Sequence, residues 1–159
     1  MSKNCCILFK DEITAVRLVS EYIKNDLNIS VIIVNKKKVL HTYFKKLGIE
    51  ILYLKSMNEG KVLSFLKKNK INFLTVNIEN IISKKFFSEF KGKIFGVHGG
   101  ILPKFRGKNS IHWMAAFGLK KLGSTLFLLS EKIDKGKIIK IKYLKTKTPT
   151  SLKELAFLL

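Results

Sequence analysis

Short apolar runs alternate with amphipathic stretches along most of the chain. The runs are rich in valine, isoleucine and leucine and too short to be helices, which is typical of strands buried on both faces. Between them, apolar residues recur at three- or four-residue spacing, as in Ile13, Val16, Val19 and Ile23. The predicted strands are 5–9, 29–34, 49–54, 73–76 and 95–98, and the predicted helices are 11–25, 38–47, 58–68 and 83–90.

This alternation of strand and helix predicts an α/β protein with a Rossmann-like, doubly wound, mostly parallel sheet. A helix at 110–117, strands at 124–129 and 137–143, and a last helix opened by the capping box Ser151–Glu154 are predicted to follow. At 159 residues, the chain is expected to form a single domain, 1–159.

The first predicted strand is not followed by a phosphate-binding loop. Lys10, Asp11 and Glu12 stand where a dinucleotide or nucleoside-triphosphate fold would carry its glycines. We therefore expect no NAD binding. Ligands of such sheets bind outside the carboxyl ends of the strands, which directs attention to the end of the strand at 95–98.

The composition is globular and strongly basic. The formal net charge is +20, and 29 of the 31 basic residues are lysines, with Arg17 and Arg106 as the two arginines. Arginine makes most bidentate phosphate and guanine contacts, so this excess of lysine predicts non-specific attraction to polyanions and not sequence recognition.

Cysteine usage and hydropathy indicate the compartment. Cys5 and Cys6 are adjacent and have no further cysteine partners, so neither a disulfide framework nor a metal pattern is predicted. No apolar run approaches the length of a signal peptide core or a membrane span. A soluble, cytoplasmic protein without a membrane partner is expected.

Two polar residues stand at strand ends beside glycines. His98 ends an apolar strand and precedes Gly99 and Gly100, and Asp134 follows a second apolar strand in an Asp-Lys-Gly turn. A histidine and a carboxylate delivered to one crevice can act as an acid–base pair. The pattern therefore predicts that His98 and Asp134 share one hydrogen-bond network.

These residues also carry a family resemblance. The run His-Gly-Gly-Ile-Leu-Pro-Lys-Phe-Arg-Gly, residues 98–107, resembles the active-site signature of the folate-dependent formyltransferases, roughly Asn-x-His-x-Ser/Gly-Leu-Leu-Pro-x-Tyr/Phe-Arg-Gly. Residues 123–136 resemble the family's second block, Gly-Val-Thr-x-His followed by Ile/Leu-Asp-x-Gly. The chain departs from the pattern twice, with Gly96 in place of the asparagine and Phe127 in place of the second histidine.

The resemblance implies the formyltransferase fold and formyl transfer from 10-formyltetrahydrofolate to a primary amine. In that reaction His98 would donate to the oxyanion or shuttle a proton, and Asp134 would orient the imidazole. The resemblance further implies a folate site at Ile101, Leu102 and Pro103, with Asn77 and Asn80 reaching the cleft in place of the absent asparagine, and substrate contacts at Gly99, Gly100, Arg106 and Asn109. No metal is implied.

The amine acceptor is read from the run at 104–113. Lys-Phe-Arg-Gly-Lys-Asn-Ser-Ile-x-Trp resembles the amino-sugar N-formyltransferases, which implies a nucleotide-linked amino sugar. The alternatives are a methionyl-tRNA formyltransferase-like enzyme, with tRNA as partner, and a binding protein built on a catalytically decayed formyltransferase fold. Longer members of the family continue past this point, so a minimal or truncated form without an accessory domain is expected.

Three expectations concern single side chains near this run. Trp113 is expected in the core, and His112 beside it is a less favoured candidate for substrate contact. Position 96 is expected to accept asparagine sterically, because it lies within a strand. Gly96→Asn would then supply an oxyanion donor and raise transfer by up to about 10²–10³-fold.

Overall fold

A computed structural model of the chain describes residues 4–10, 12–35, 39–90 and 92–145. The chain divides into two compact units, residues 1–94 and 95–159. The helix predicted to begin at Ser151 lies outside the described residues. Among the helices that the structure does describe, none combines the length and the apolarity that a bilayer span requires.

The first unit alternates strands and helices, as its sequence pattern predicts. β1 pairs in parallel with β2 and with β4, and β2 pairs in parallel with β3. The carboxyl ends of these strands therefore lie on one edge of the sheet. The elements are β1 (Asn4–Phe9), α1 (Glu12–Ile23), β2 (Asn28–Val34), α2 (His41–Lys46), β3 (Glu50–Leu54), α3 (Glu59–Lys68), β4 (Phe73–Asn77) and α4 (Lys84–Glu89).

β1 is the most deeply buried strand of this unit. All five residues from Cys5 to Phe9 are at most 1% exposed, so both of its faces are covered, which explains why its apolar run does not alternate. Burial raises the pKa of the Cys5 thiol to about 12 and raises the pKa of Cys6 well above its usual value. Both cysteines are therefore core residues held as neutral thiols.

The ends of the helices follow local side-chain chemistry. Asn58 caps α3 by accepting a hydrogen bond from the Lys61 amide at 3.0 Å, and the Ser83 hydroxyl accepts from the Phe86 amide at 3.1 Å to cap α4. Past the end of α2, Gly48 takes a positive φ of 67°, which only glycine adopts without cost.

The residues of the second unit that the structure describes, 95–145, form antiparallel strands and one short helix. β5 (Lys93–His98) spans the boundary between the units, and it is followed by α5 (Ser110–Ala116), β6 (Lys121–Leu128) and β7 (Ile138–Lys145). β6 pairs antiparallel with both β5 and β7. The core of the second unit centres on Met114 and Leu122. Partly buried side chains pack against these two residues: Ile101, Phe105, Ile111, Leu119 and Leu144.

The strand order of the sheet is β3-β2-β1-β4-β5-β6-β7. This mixed, mostly parallel sheet with helices confirms the predicted α/β, Rossmann-like class. The predicted apolar face of α1 is confirmed at Val16 and Val19, which pack in the core, and wrong at Ile13 and Ile23, which are 65% and 45% exposed while Ala15 is buried instead. Small Ala15 brings α1 close to the sheet, and Ile13 lies on the outer side.

Candidate active site

His98 is the last residue of β5, and a main-chain contact fixes its ring. Its Nε2 lies 2.5 Å from the carbonyl oxygen of Phe105. A carbonyl oxygen can only accept a hydrogen bond, so Nε2 carries a proton and donates it. In the neutral imidazole, Nδ1 is therefore the nitrogen with a lone pair available to take up a proton.

Gly100 makes this contact sterically possible. A Cβ at this position would lie 2.8 Å from both His98 Nε2 and Phe105 O, and 2.7 Å from the Cβ of Ser110. Any side chain would therefore push apart the imidazole and the carbonyl that orients it. The Gly99 carbonyl next to it accepts a hydrogen bond from the Ser110 hydroxyl at 2.8 Å. Substrate contacts at the two glycines stay predictions.

Thr125, which the sequence reasoning missed, fastens the loop that follows His98. It lies directly opposite His98 in the β5–β6 register and is fully buried. Its hydroxyl donates to the Gly100 carbonyl at 2.6 Å and accepts from the Leu102 amide at 3.1 Å. Such a residue is recognisable only when the strand register is known, because the sequence shows merely a threonine within an apolar run.

The three residues proposed to line a folate site are placed differently from one another. Leu102 is 3% exposed, and the side chain of Ile101 packs within the core of the second unit, close to Gly123. Pro103 is the exposed member of the three. The binding role of all three stays a prediction, and Pro103 offers the most accessible surface.

Asp134 is held by two hydrogen bonds from the loop 105–107. Its Oδ2 accepts from the Gly107 amide at 2.8 Å, and its main-chain carbonyl accepts from Arg106 Nε at 3.1 Å. Asp134 has φ +49° and Gly107 has φ +81°, and aspartate and glycine are among the residues that tolerate this region best. Arg106 thus contacts the turn that carries Asp134, and its substrate role stays a prediction.

The structure brings His98 and Asp134 together. Nδ1 of His98 lies 3.7 Å from Oδ2 of Asp134, with the two side chains 10% and 16% exposed. The separation suits an ion pair and exceeds a hydrogen bond. His98 is held through its other nitrogen by the Phe105 carbonyl, and Asp134 Oδ2 itself accepts from the Gly107 amide while it faces Nδ1. This nearly buried imidazole and carboxylate form a preorganised pair that can accept and return one proton.

Position 96 does not accept a side chain freely, so the expectation made for asparagine there is wrong. Gly96 lies directly opposite Phe127, whose ring extends across it. A Cβ on Gly96 would lie 2.5 Å from Phe127 Cε1 and would meet Cζ as well, and Leu129 Cδ1 would be 3.0 Å away. The two departures from the family pattern are therefore in contact, the ring of one covering the glycine of the other.

The remaining candidates are exposed residues of one unit or the other. Asn77 ends β4 in the first unit, where its side chain is exposed, and Asn80 is exposed in the segment that follows, so their site role stays a prediction. Asn109 is the left-handed N-cap residue of α5, without a side-chain cap hydrogen bond. Trp113, expected in the core, is 57% exposed, because α5 turns Met114 inward instead. His112 is also exposed.

In the part of the chain that the structure describes, no three histidine, cysteine or carboxylate side chains come together as a metal ion would require.

Comparison with known proteins places these features in context. The sequence model of the family described as formyl transferase matches residues 7–156. A methionyl-tRNA formyltransferase of Finegoldia magna is 32% identical over 126 residues, which are 76% of this chain and 41% of that protein. The bifunctional polymyxin resistance protein ArnA of Wigglesworthia glossinidia brevipalpis is 32% identical over 67% of this chain and 15% of its own length. The chain thus spans less than half the length of either relative.

Solved structures show the same fold. The phosphoribosylglycinamide formyltransferase of Bacillus halodurans superposes with a TM-score of 0.82 at 19% identity, covering 98% of this chain and 86% of that one. A formyltetrahydrofolate deformylase of Pseudomonas syringae pv. tomato superposes with a TM-score of 0.83 at 16% identity, covering 99% of this chain and 56% of its own.

Proposed function

Because this chain belongs to the formyl transferase family, we propose that residues 1–159 act as a catalytic domain that transfers a formyl group from 10-formyltetrahydrofolate to a primary amine. The observation that carries this proposal is the preorganised pair of His98 and Asp134, whose side chains lie 3.7 Å apart at the carboxyl end of β5. Both residues match the family's motif, and both side chains keep a small exposed fraction, 10% and 16%.

The chain's own groups fit the chemistry of such a transfer. As the amine nitrogen bonds to the formyl carbon, the bond between that carbon and N10 of the donor breaks, so the amine must lose one proton and the departing N10 must gain one. Nδ1 of His98 is the nitrogen that can take this proton, because Nε2 is bound to the Phe105 carbonyl. Asp134 Oδ2 faces Nδ1 and stabilises the resulting imidazolium.

The surroundings of the pair also fit a flat heterocyclic donor. Ile133, next to Asp134, is 60% exposed, and Pro103 is exposed on the loop that follows His98. Exposed apolar side chains beside a polar pair are the usual lining of a small-molecule site. We assign Ile101 and Leu102 a supporting part, since they hold the loop that carries Pro103.

For the acceptor, we propose a nucleotide-linked amino sugar. The run 104–113 supports this choice, because it resembles that of the amino-sugar N-formyltransferases. Within that run, Asn109 adopts φ +58° and leaves its side chain out of the helix cap. A methionyl-tRNA acceptor is the second candidate, favoured by the name of the Finegoldia magna relative.

The proposal is tested by measuring formyl transfer from 10-formyltetrahydrofolate to a panel of nucleotide amino sugars and to methionyl-tRNA. His98→Ala and Asp134→Asn should each lower transfer by about 10²–10⁴-fold, the usual contribution of a general acid–base. His41→Ala, which removes the exposed histidine at the start of α2, is the control and should leave transfer unchanged. Absence of transfer to every acceptor would refute the catalytic proposal and favour the binding protein.

A further inference from the structure

The ring of Phe127 lies between two glycines at the candidate site. On one side it covers Gly96, as described above, and on the other its Cδ2 would be 3.2 Å from a Cβ placed on Gly136. Phe127 is 2% exposed. One glycine belongs to the strand that ends in His98, and the other follows the turn that carries Asp134, so the ring packs against the backbone beside both halves of the site.

Strand β7, which pairs with β6, has a bulge opposite Phe127. The β6–β7 register shifts between Leu126, opposite Lys140, and Phe127, opposite Ile138, which leaves Ile139 as an extra residue of β7. Bulges of this kind redirect a neighbouring side chain and are frequent beside active sites. The bulge therefore gives a structural reason for the placement of this ring.

The turn that carries Asp134 is fastened to the residue after Phe127. The Leu128 amide donates to the Lys137 carbonyl at 2.8 Å. A Cβ on Gly136 would lie 2.8 Å from the Leu128 carbonyl carbon and would collide with its oxygen, so Gly136 is pressed against this strand. Movement of the ring would be transmitted to the turn through these close contacts.

Phe127 also lies on the face of the sheet to which His98 belongs. Gly96 and His98 are two residues apart on β5, and their cross-strand partners are Phe127 and Thr125. Residues two apart in a strand share a face, and so do directly opposed residues of antiparallel strands. Phe127 therefore lies on the same face as His98, diagonally across the β5–β6 pair.

We propose that Phe127 is a positioning residue of the His98–Asp134 site, whose ring sets the distance between β5 and the Asp134 turn and reserves position 96 for glycine. The inference rests on the proposed function only in treating the pair as catalytic. An aromatic residue covering a cross-strand glycine also compensates for the packing that the glycine lacks.

A double-mutant cycle between positions 96 and 127 tests the steric part. Gly96→Ala should lower Tm by about 3–10 °C in the wild-type background, since it overpacks the space under the ring. In a Phe127→Leu background, Gly96→Ala should lower Tm by less than half of that amount. Equal losses in both backgrounds would refute the coupling. Phe127→Met, which conserves volume better, replaces Phe127→Leu if the latter does not fold.

The positioning part is tested by imidazole ¹⁵N NMR of His98, assigned with His98→Gln. Phe127→Leu should displace the Nδ1 resonance, which faces Asp134. Phe86→Leu, a change at an equally buried phenylalanine of α4, should not. An unchanged His98 spectrum in Phe127→Leu would refute the positioning role.

Both measurements are independent of formyl transfer. If wild-type protein transfers no formyl group but the cycle is coupled and the Nδ1 resonance moves, the inference stands and the proposed function falls. If transfer is found, Phe127→Leu should lower kcat more than it raises KM, because it displaces the reacting groups and not the ligand surface. A change confined to KM would contradict the positioning role.

Discussion

Main-chain groups orient both members of the candidate pair. The Phe105 carbonyl holds one nitrogen of His98, and the Gly107 amide holds one oxygen of Asp134. Both contacts come from a single loop. The conformation of residues 105–107 therefore determines how the imidazole and the carboxylate face each other, and a change of backbone there should affect activity more than stability.

Gly107→Ala tests this dependence. Gly107 has φ +81°, where alanine costs about 1–2 kcal/mol, and relief of that strain would shift the amide that binds Asp134. We expect formyl transfer to fall on the order of 10²-fold, the effect of a displacement of about 1 Å at a reacting group.

Gly118→Ala is the matched control for this change. Gly118 has φ +63° just after α5 in the same unit, with no described atom within 4 Å of a methyl group placed on it. Gly118→Ala should lower the free energy of unfolding measured with urea by about as much as Gly107→Ala and should leave formyl transfer unchanged. Equal activities of the two variants would show that the Gly107 amide does not orient Asp134.

The sequence predicts the members of this pair but not the contacts that fix them. His98 is visible as a polar residue at the end of an apolar strand and Asp134 as one in a glycine turn between two apolar runs, because both placements need only the alternation of apolar runs and glycines. Thr125 and the Gly96–Phe127 contact depend on which residues face each other across β5 and β6. That register is a tertiary property. From the sequence alone, Gly96 and Phe127 are therefore two unrelated departures from the family pattern.

At the scale of elements, the first unit joins three of its segments through one buried carboxylate. Glu12, at the start of α1, is 6% exposed, and its Oε2 accepts from the amides of Val39 and Leu40 at 2.7 and 3.1 Å. Its Oε1 accepts from the Tyr53 hydroxyl at 2.5 Å. Burial, and then this bond to the carboxylate, raise the pKa of Tyr53 above its ordinary value.

Glu12→Gln should therefore destabilise the protein. The change removes the charge that strengthens three hydrogen bonds and places an amide donor among donors, which should cost about 1–3 kcal/mol in the free energy of unfolding measured with urea. Glu21→Gln, on the exposed side of α1 in an ion pair with Lys24, is the control and should change it by less than about 1 kcal/mol. Equal losses of unfolding free energy in the two variants would show that Glu12 does not anchor these segments.

The sequence predicts the elements themselves well but not their links. Apolar runs locate every strand to within a few residues, since a strand buried on both faces has to be apolar throughout. Glu12 appeared only as one of the residues that replace a phosphate loop. Its partners at 39–40 and at Tyr53 lie 27 to 41 residues away, and no local pattern indicates such a contact.

At the scale of the whole molecule, charge is the dominant property. A net charge of +20 on 159 residues creates a positive potential over the surface, and lysines carry nearly all of it. Attraction to polyanions should follow from the total charge and not from a shaped contact surface.

Binding to a single-stranded RNA oligonucleotide, followed by fluorescence anisotropy, tests this view. The affinity should fall on the order of 10-fold or more between about 50 and 200 mM salt, because counterions are released on binding. Substituting exposed Lys140 and Lys142 of β7 with glutamine should weaken binding as much as substituting exposed Lys45 and Lys46 of α2. A much larger effect of one pair would indicate a defined nucleic-acid surface instead.

The bond between His98 Nε2 and the Phe105 carbonyl has one more consequence. A histidine with both nitrogens open can pass a proton through its ring, receiving at one side and releasing at the other. Here the far nitrogen is capped by an oxygen that has no proton to exchange, so the ring is not a relay. In the proposed transfer, a proton collected at Nδ1 would have to leave again from Nδ1, so each cycle would return it through the side of the ring that Asp134 faces.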